Sequence, residues 1–258
     1  MMTKAHRTFR PIIFTALAAG VAAAIASLVW FNAYAAAGRL LTVDPNAIPA
    51  DRPAMRRAVT AGQAVYSRQC ASCHAAGGQG SVALSTPALN DGDWLYGDGT
   101  PAEIERTVSY GIRSHHARSW HLTEMPGYIQ ATASGTHQII PLTPSDIRDL
   151  TEYLMKLQGE PGDEQAAARG QTLFHISAGC WDCHARDAGG DRATGVPSLT
   201  DKKWLYGKGD RQSIFDSIAF GHAGVCPAWI DVLTPAEIRQ VALYVYALSH
   251  PEDSGESK

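Results

Sequence analysis

Charge of one sign, abundant sulfur and any sustained alternation of polar and apolar residues are all missing from this 258-residue chain. Its 22 basic residues stand against 25 acidic ones, so no overall basic field exists to hold a phosphate backbone, which argues against a nucleic-acid partner. Without a period of two, strands are not indicated, and an all-α fold is expected. The five cysteines are an odd number, which excludes a framework pairing every thiol in disulfides. An apolar share of 45% is ample for packed cores and excludes disorder over most of the chain.

Long hydrophobic runs are absent but for one. Ile12 to Phe31 is 20 residues without a charge, preceded by Lys4, Arg7 and Arg10. At about 1.5 Å per residue such a helix spans roughly 30 Å, the hydrocarbon thickness of a bilayer. The flanking charge favours an N-terminus in the cytoplasm with the rest of the chain exported. A cleaved signal segment is the competing reading, because Ala33-Tyr34-Ala35 has the small-x-small form of a cleavage site. The expected layout begins with a transmembrane anchor or signal segment over 1–35 and a proline-containing tether over 36–57.

An internal repeat organises the remainder. Cys70-Ala-Ser-Cys73-His74 recurs 110 residues later as Cys180-Trp-Asp-Cys183-His184. The same offset relates Pro87 to Pro197, Trp94-Leu95-Tyr96-Gly97 to Trp204-Leu205-Tyr206-Gly207, and Gly111 to Gly221. The copies meet again at Leu142-Thr143-Pro144 and Leu233-Thr234-Pro235 with an offset of 91, so the first carries 19 extra residues in between. Thr143 and Thr234 are N-caps, each followed by proline at the first helical position and by Asp146 or Glu237 three residues on. Helices are also expected over 53–69, 101–110, 163–177 and 211–220, giving two small α domains, 58–158 and 163–250, joined near Gly159-Glu160-Pro161-Gly162.

Cys-X-X-Cys-His is the attachment signature of c-type heme. Two thiols about one helical turn apart reach the vinyl groups on one porphyrin edge, and the adjacent histidine presents a ring nitrogen to the iron. A thioredoxin-like pair needs no following histidine, and a zinc site would have to gather ligands from two pairs lying 110 residues apart. Two covalently bound heme c groups are therefore expected, held by Cys70, Cys73 and His74 and by Cys180, Cys183 and His184.

With these motifs the chain resembles the class I c-type cytochromes, and more specifically the diheme subunit III of cbb-type cytochrome c oxidases. The residues that carry the likeness are Trp-Leu-Tyr-Gly, Gly-Ile-Arg-Ser-His-His-Ala-Arg over 111–118, Met125-Pro126-Gly127 and Gly224-Val225-Cys226-Pro227-Ala228-Trp229, within a resemblance covering about 58–250. It implies two tandem class I cytochrome c domains, with Pro87 and Pro197 accepting hydrogen bonds from the proximal imidazoles and the repeated Trp and Tyr residues walling the hemes. It also implies Met125 as the sixth ligand of the first heme. No methionine follows Met155, so the second domain lacks a thioether, and Cys226 stands where the family has Met. Cys226 as thiolate ligand, His222 as ligand and an open sixth position remain alternatives there, and so does exchange of ligands between the domains.

The function so implied is that of a membrane-anchored diheme cytochrome. It would pass electrons from a donor cytochrome or a quinol-oxidising complex to a cbb-type terminal oxidase, its partners being oxidase subunits and small cytochromes. The heme domains would lie in the periplasm, on the inner membrane or free if the leader is cleaved. A diheme enzyme oxidising a small sulfur compound, in the manner of a thiosulfate dehydrogenase, is the alternative.

Overall fold

The computed structural model describes residues 9–81, 83–84, 86–121, 123–129 and 140–254. Lys4 and Arg7 lie outside them, as does much of the segment by which the first copy exceeds the second. The chain divides into two units, 1–44 and 45–258.

In the first unit a single helix, α1 (Phe9–Leu41), runs through the small-x-small triplet without a break. Its stretch Ala19–Leu41, 23 residues, is long and apolar enough to cross a membrane. Val21, Ile25, Leu28, Val29 and Phe31 are all exposed, so these apolar side chains have no protein core to enter.

The second unit is helical, with no strand among the described residues. Residues 36–57, the expected tether, carry helical structure. They hold the end of α1, a 3-10 turn over Pro45–Ala50 that buries Ile48, and the start of α2 (Arg52–Gln69). The prolines act as helix starters here: Asp51 caps α2 by accepting from the Ala54 amide, and Pro53 occupies its first turn, where no amide donor is needed. The other long helices are α4 (Pro101–Tyr110), α5 (Pro144–Leu157), α6 (Glu164–Thr172), α8 (Arg211–Phe220) and α9 (Pro235–Ser249), while α3 (Ala71–His74) and α7 (Trp181–His184) are single turns carrying the heme motifs. A π turn, Leu173–Ser177, extends α6 toward Cys180. Capping boxes at Thr143 and Thr234 start α5 and α9, as the sequence indicates.

The helices assemble across the repeat. Core I packs α2 and α4 of the first copy against α9 of the second, around Val65, Tyr66, Ile104, Ile238, Val241 and Val245. Core II packs α5 of the first copy against α6 and α8 of the second, around Ile147, Leu150, Tyr153, Phe174, Ile214 and Ile218. Two glycines make the close helix crossings possible. A Cβ at Gly62 would lie 2.0 Å from the Gln240 carbonyl oxygen, and one at Gly170 would lie 2.0 Å from that of Asp149. Each core is also tied by an ion pair, Glu105 with Arg239 in core I and Asp149 with Arg169 at 2.7 Å in core II. Residues 159–162, where the sequence copies meet, form the turn between α5 and α6 of one core, with Gly159 at φ 76° and the Glu160 amide donating to the Met155 carbonyl.

Candidate heme sites

Each motif occupies one tight turn. The amides of Cys73 and His74 donate to the Cys70 carbonyl, and those of Cys183 and His184 to the Cys180 carbonyl, which sets both thiols and the imidazole of each motif on a single helical turn. Ala75 and Ala185 then take φ 63°, a left-handed conformation that ends the turn directly after each histidine. No disulfide joins the cysteines; Cys73 and Cys183 are exposed while Cys70, Cys180 and Cys226 are half-buried. Burial pushes Cys70, Cys180 and Cys226 up to about 11, with Cys226 and Cys73 adding to the shift at Cys70.

The two imidazoles are held alike. His74 Nδ1 donates to the Pro87 carbonyl at 3.0 Å and His184 Nδ1 to the Pro197 carbonyl at 3.1 Å. A carbonyl only accepts, so the proton sits on Nδ1 and the Nε2 lone pair is left for a metal. Burial lowers both histidines from their ordinary value, against the smaller opposing effect of those carbonyls, and so favours the neutral, ligating form.

The candidate sixth ligands lie across the copies from where sequence order puts them. Met125 packs on core II with Cys180, Trp181 and Trp204. Its amide and carbonyl pair with those of His222, at 3.0 and 2.8 Å. Cys226 makes the same reciprocal pair with Ile112, at 2.9 and 3.0 Å, and lies near Cys70 and Cys73 of the first motif. Met125 thus lies on the side of the second motif and Cys226 on the side of the first. The glycines ending α4 and α8 make this approach possible: a Cβ on Gly111 would meet the Cys226 carbonyl oxygen at 2.3 Å, and one on Gly221 the Met125 carbonyl oxygen at 2.2 Å.

His222 has other engagements. Its ring stacks on Tyr206 at 3.8 Å with planes 12° apart, and Nε2 lies 3.0 Å from Ser217 Oγ. Burial, followed by the nearby Arg113 guanidinium, lowers it from its ordinary value. His116 stacks on Tyr110 and His121 Nδ1 donates to the Ser119 carbonyl, so both rings serve their own loop.

A heme fits these residues. The Trp94 indole nitrogen, beside core I, is buried without an acceptor among the described residues, the state expected of a donor whose acceptor comes from outside the chain. Sequence reading passes over Tyr128, which packs in core II and donates to the Ala178 carbonyl at 2.9 Å beside the second motif. The signal was available: Met125-Pro126-Gly127-Tyr128 and Cys226-Pro227-Ala228-Trp229 align at a third offset, 101, as a sulfur residue, a proline, a small residue and an aromatic.

Comparison with known proteins bears on the cofactor. The family model described as cytochrome c matches residues 59–158, and that of cytochrome c oxidase, cbb3-type, subunit III matches residues 165–245. The cbb3-type cytochrome c oxidase subunit CcoP of Cereibacter sphaeroides is 37% identical over 214 residues, 83% of this chain and 69% of the relative. CcoP of Rhodobacter capsulatus is 37% identical over 218 residues, 81% and 69% of the two chains, and subunit FixP of Azorhizobium caulinodans is 37% identical over 188 residues, 72% and 58%.

Proposed function

Because this chain belongs to the family of cbb3-type cytochrome c oxidase subunit III, we propose that it relays electrons to the oxidase with its sixth ligands exchanged between the two sequence copies. It is a membrane-anchored diheme c-type cytochrome subunit of a cbb3-type oxidase, acting in electron transfer. The observation that carries the reading is a pair of half-buried imidazoles in one compact unit, each fixed through Nδ1 and each behind a Cys-X-X-Cys turn. Bound heme supplies the one-electron couple.

The chain's own residues supply attachment, orientation and an unequal pair of sulfur ligands. Cys70, Cys73, Cys180 and Cys183 form the thioether links, and the Pro87 and Pro197 carbonyls orient His74 and His184. Cys226 would serve as sixth ligand of the heme held by His74, and Met125 of the heme held by His184. A thiolate donates more electron density than a thioether, so the first site is the lower in potential. The relay receives electrons from a donor cytochrome or a quinol-oxidising complex. With 14 acidic against nine basic residues over 159–258, the heme-bearing unit suits a basic small cytochrome, docking quickly and with sensitivity to salt. The basic N-terminus stays in the cytoplasm, α1 is retained as the anchor, and the heme-bearing unit faces the periplasm.

Purification from native membranes tests the assignment. The expected result is a complex containing an integral heme–copper subunit, reducible through a small cytochrome. Recovery of the chain alone, reduced directly by thiosulfate, would instead favour a self-contained sulfur-oxidising enzyme, for which the relatives give no support.

A further inference from the structure

One guanidinium grips both sixth-ligand segments at once. Arg113 Nη1 donates to the Thr123 carbonyl at 3.1 Å, two residues before Met125, and Nε donates to the Gly224 carbonyl at 2.7 Å, two residues before Cys226. Nη1 also donates to the Tyr96 hydroxyl at 3.2 Å, and the Tyr96 ring lies where a Cβ on Gly195, in the second copy, would stand 2.1 Å from it. The repeat gives this arginine no twin, because position 223 is alanine.

Two further observations set it apart. Arg113 holds φ 49°, a left-handed conformation uncommon for a residue with a long side chain. Its acceptors among the described residues are neutral oxygens, and its charge acts on His222 and Tyr206 across the seam. An ordinary surface arginine would reach water or a carboxylate from a relaxed backbone.

The geometry points to Arg113 as a positioning residue shared by both hemes: its two-armed fork clamps the backbone ahead of Met125 and of Cys226, and its fixed charge favours the reduced state at both sites. Planarity matters, because a lysine ammonium keeps the charge but cannot span two carbonyls along one rigid edge. The clamp couples the sites through position, so loosening it frees both sulfur ligands together.

This inference rests on Met125 and Cys226 being the sixth ligands, so the full-length, heme-loaded protein is measured first. Electron paramagnetic resonance of the ferric form is expected to show one thiolate-ligated and one methionine-ligated low-spin species, and absence of either overturns that ligand reading. With both present, Arg113→Gln is expected to lower both potentials and to speed uptake of added imidazole at both irons. Arg113→Lys is expected to recover the potentials but not the slow imidazole uptake, and it carries the same readout should the glutamine variant load heme poorly. Unchanged uptake in both variants, a change at one iron only, or full recovery by lysine would each overturn the clamp.

Discussion

At each histidine a backbone carbonyl rather than a side chain does the orienting. The Pro87 and Pro197 oxygens accept from Nδ1, and no substitution of the side chain alone removes that contact. The residue that sets the two sites apart is therefore the sixth ligand. Cys226→Met is expected to raise the potential of the lower-potential site and to abolish the thiolate signature, leaving the methionine species unchanged; potentiometric titration with spectral deconvolution reads both. Carrying the substitution into a chain whose second motif is disabled by Cys180→Ala and Cys183→Ala assigns the site. Loss of the thiolate signature there places Cys226 on the first heme, whereas a methionine signature in the parent chain would place Met125 there instead. The two Cys-X-X-Cys-His motifs are legible in the sequence from residue type and spacing, whereas Met125 and Cys226 come forward as ligand candidates only through the family resemblance. Their pairing with the motifs was left open by the sequence, and the exchanged pairing proposed above draws its support from the backbone pairs of Ile112 with Cys226 and Met125 with His222, which no periodicity announces.

Among the elements, the crossings at Gly62 and Gly170 leave no room for a methyl group. Gly62→Ala is expected to destabilise the α2–α9 crossing by about 1–3 kcal/mol, the usual cost of overpacking, as measured by chemical denaturation. A cost near zero would show that the helices can separate freely. The contact between α5 and α8 depends on Glu152, whose carboxyl accepts from Arg211 at 2.6 and 3.1 Å. That guanidinium holds Glu152 below its ordinary carboxylate value. Such a group stabilises the fold above its unfolded pKa of about 4.3 and loses that contribution as pH falls through its folded value. Glu152→Gln should therefore flatten the acid limb of the stability profile; an unchanged limb would remove this pair from the account. Helix positions were readable because proline, threonine and acidic residues mark starts whatever the partners. The prolines within residues 36–57 signal a helix start as readily as a linker, and the capping of Ala54 by Asp51 marks such a start among them.

For the whole heme-bearing unit, core II is drawn from one continuous stretch between Met125 and Phe220, and core I from the two stretches flanking it. The copies seen in the sequence are real, yet the cores close between copies, and no periodicity records which amphipathic helix meets which. Because the seam is shared through Arg113, Tyr96 and both ligand segments, the two sites should lose their native ligation in a single urea transition. Two well-separated transitions, followed by absorption at the two hemes, would contradict that sharing.

The nesting also imposes an order in time. A chain emerging from its N-terminus has everything core II needs once Phe220 appears, whereas core I must wait for Cys226 and the last helix, although its own Cys-X-X-Cys-His arrives first. The motif made first is thus the last to have its far side covered, because the helix that closes core I is the last of the long helices in chain order.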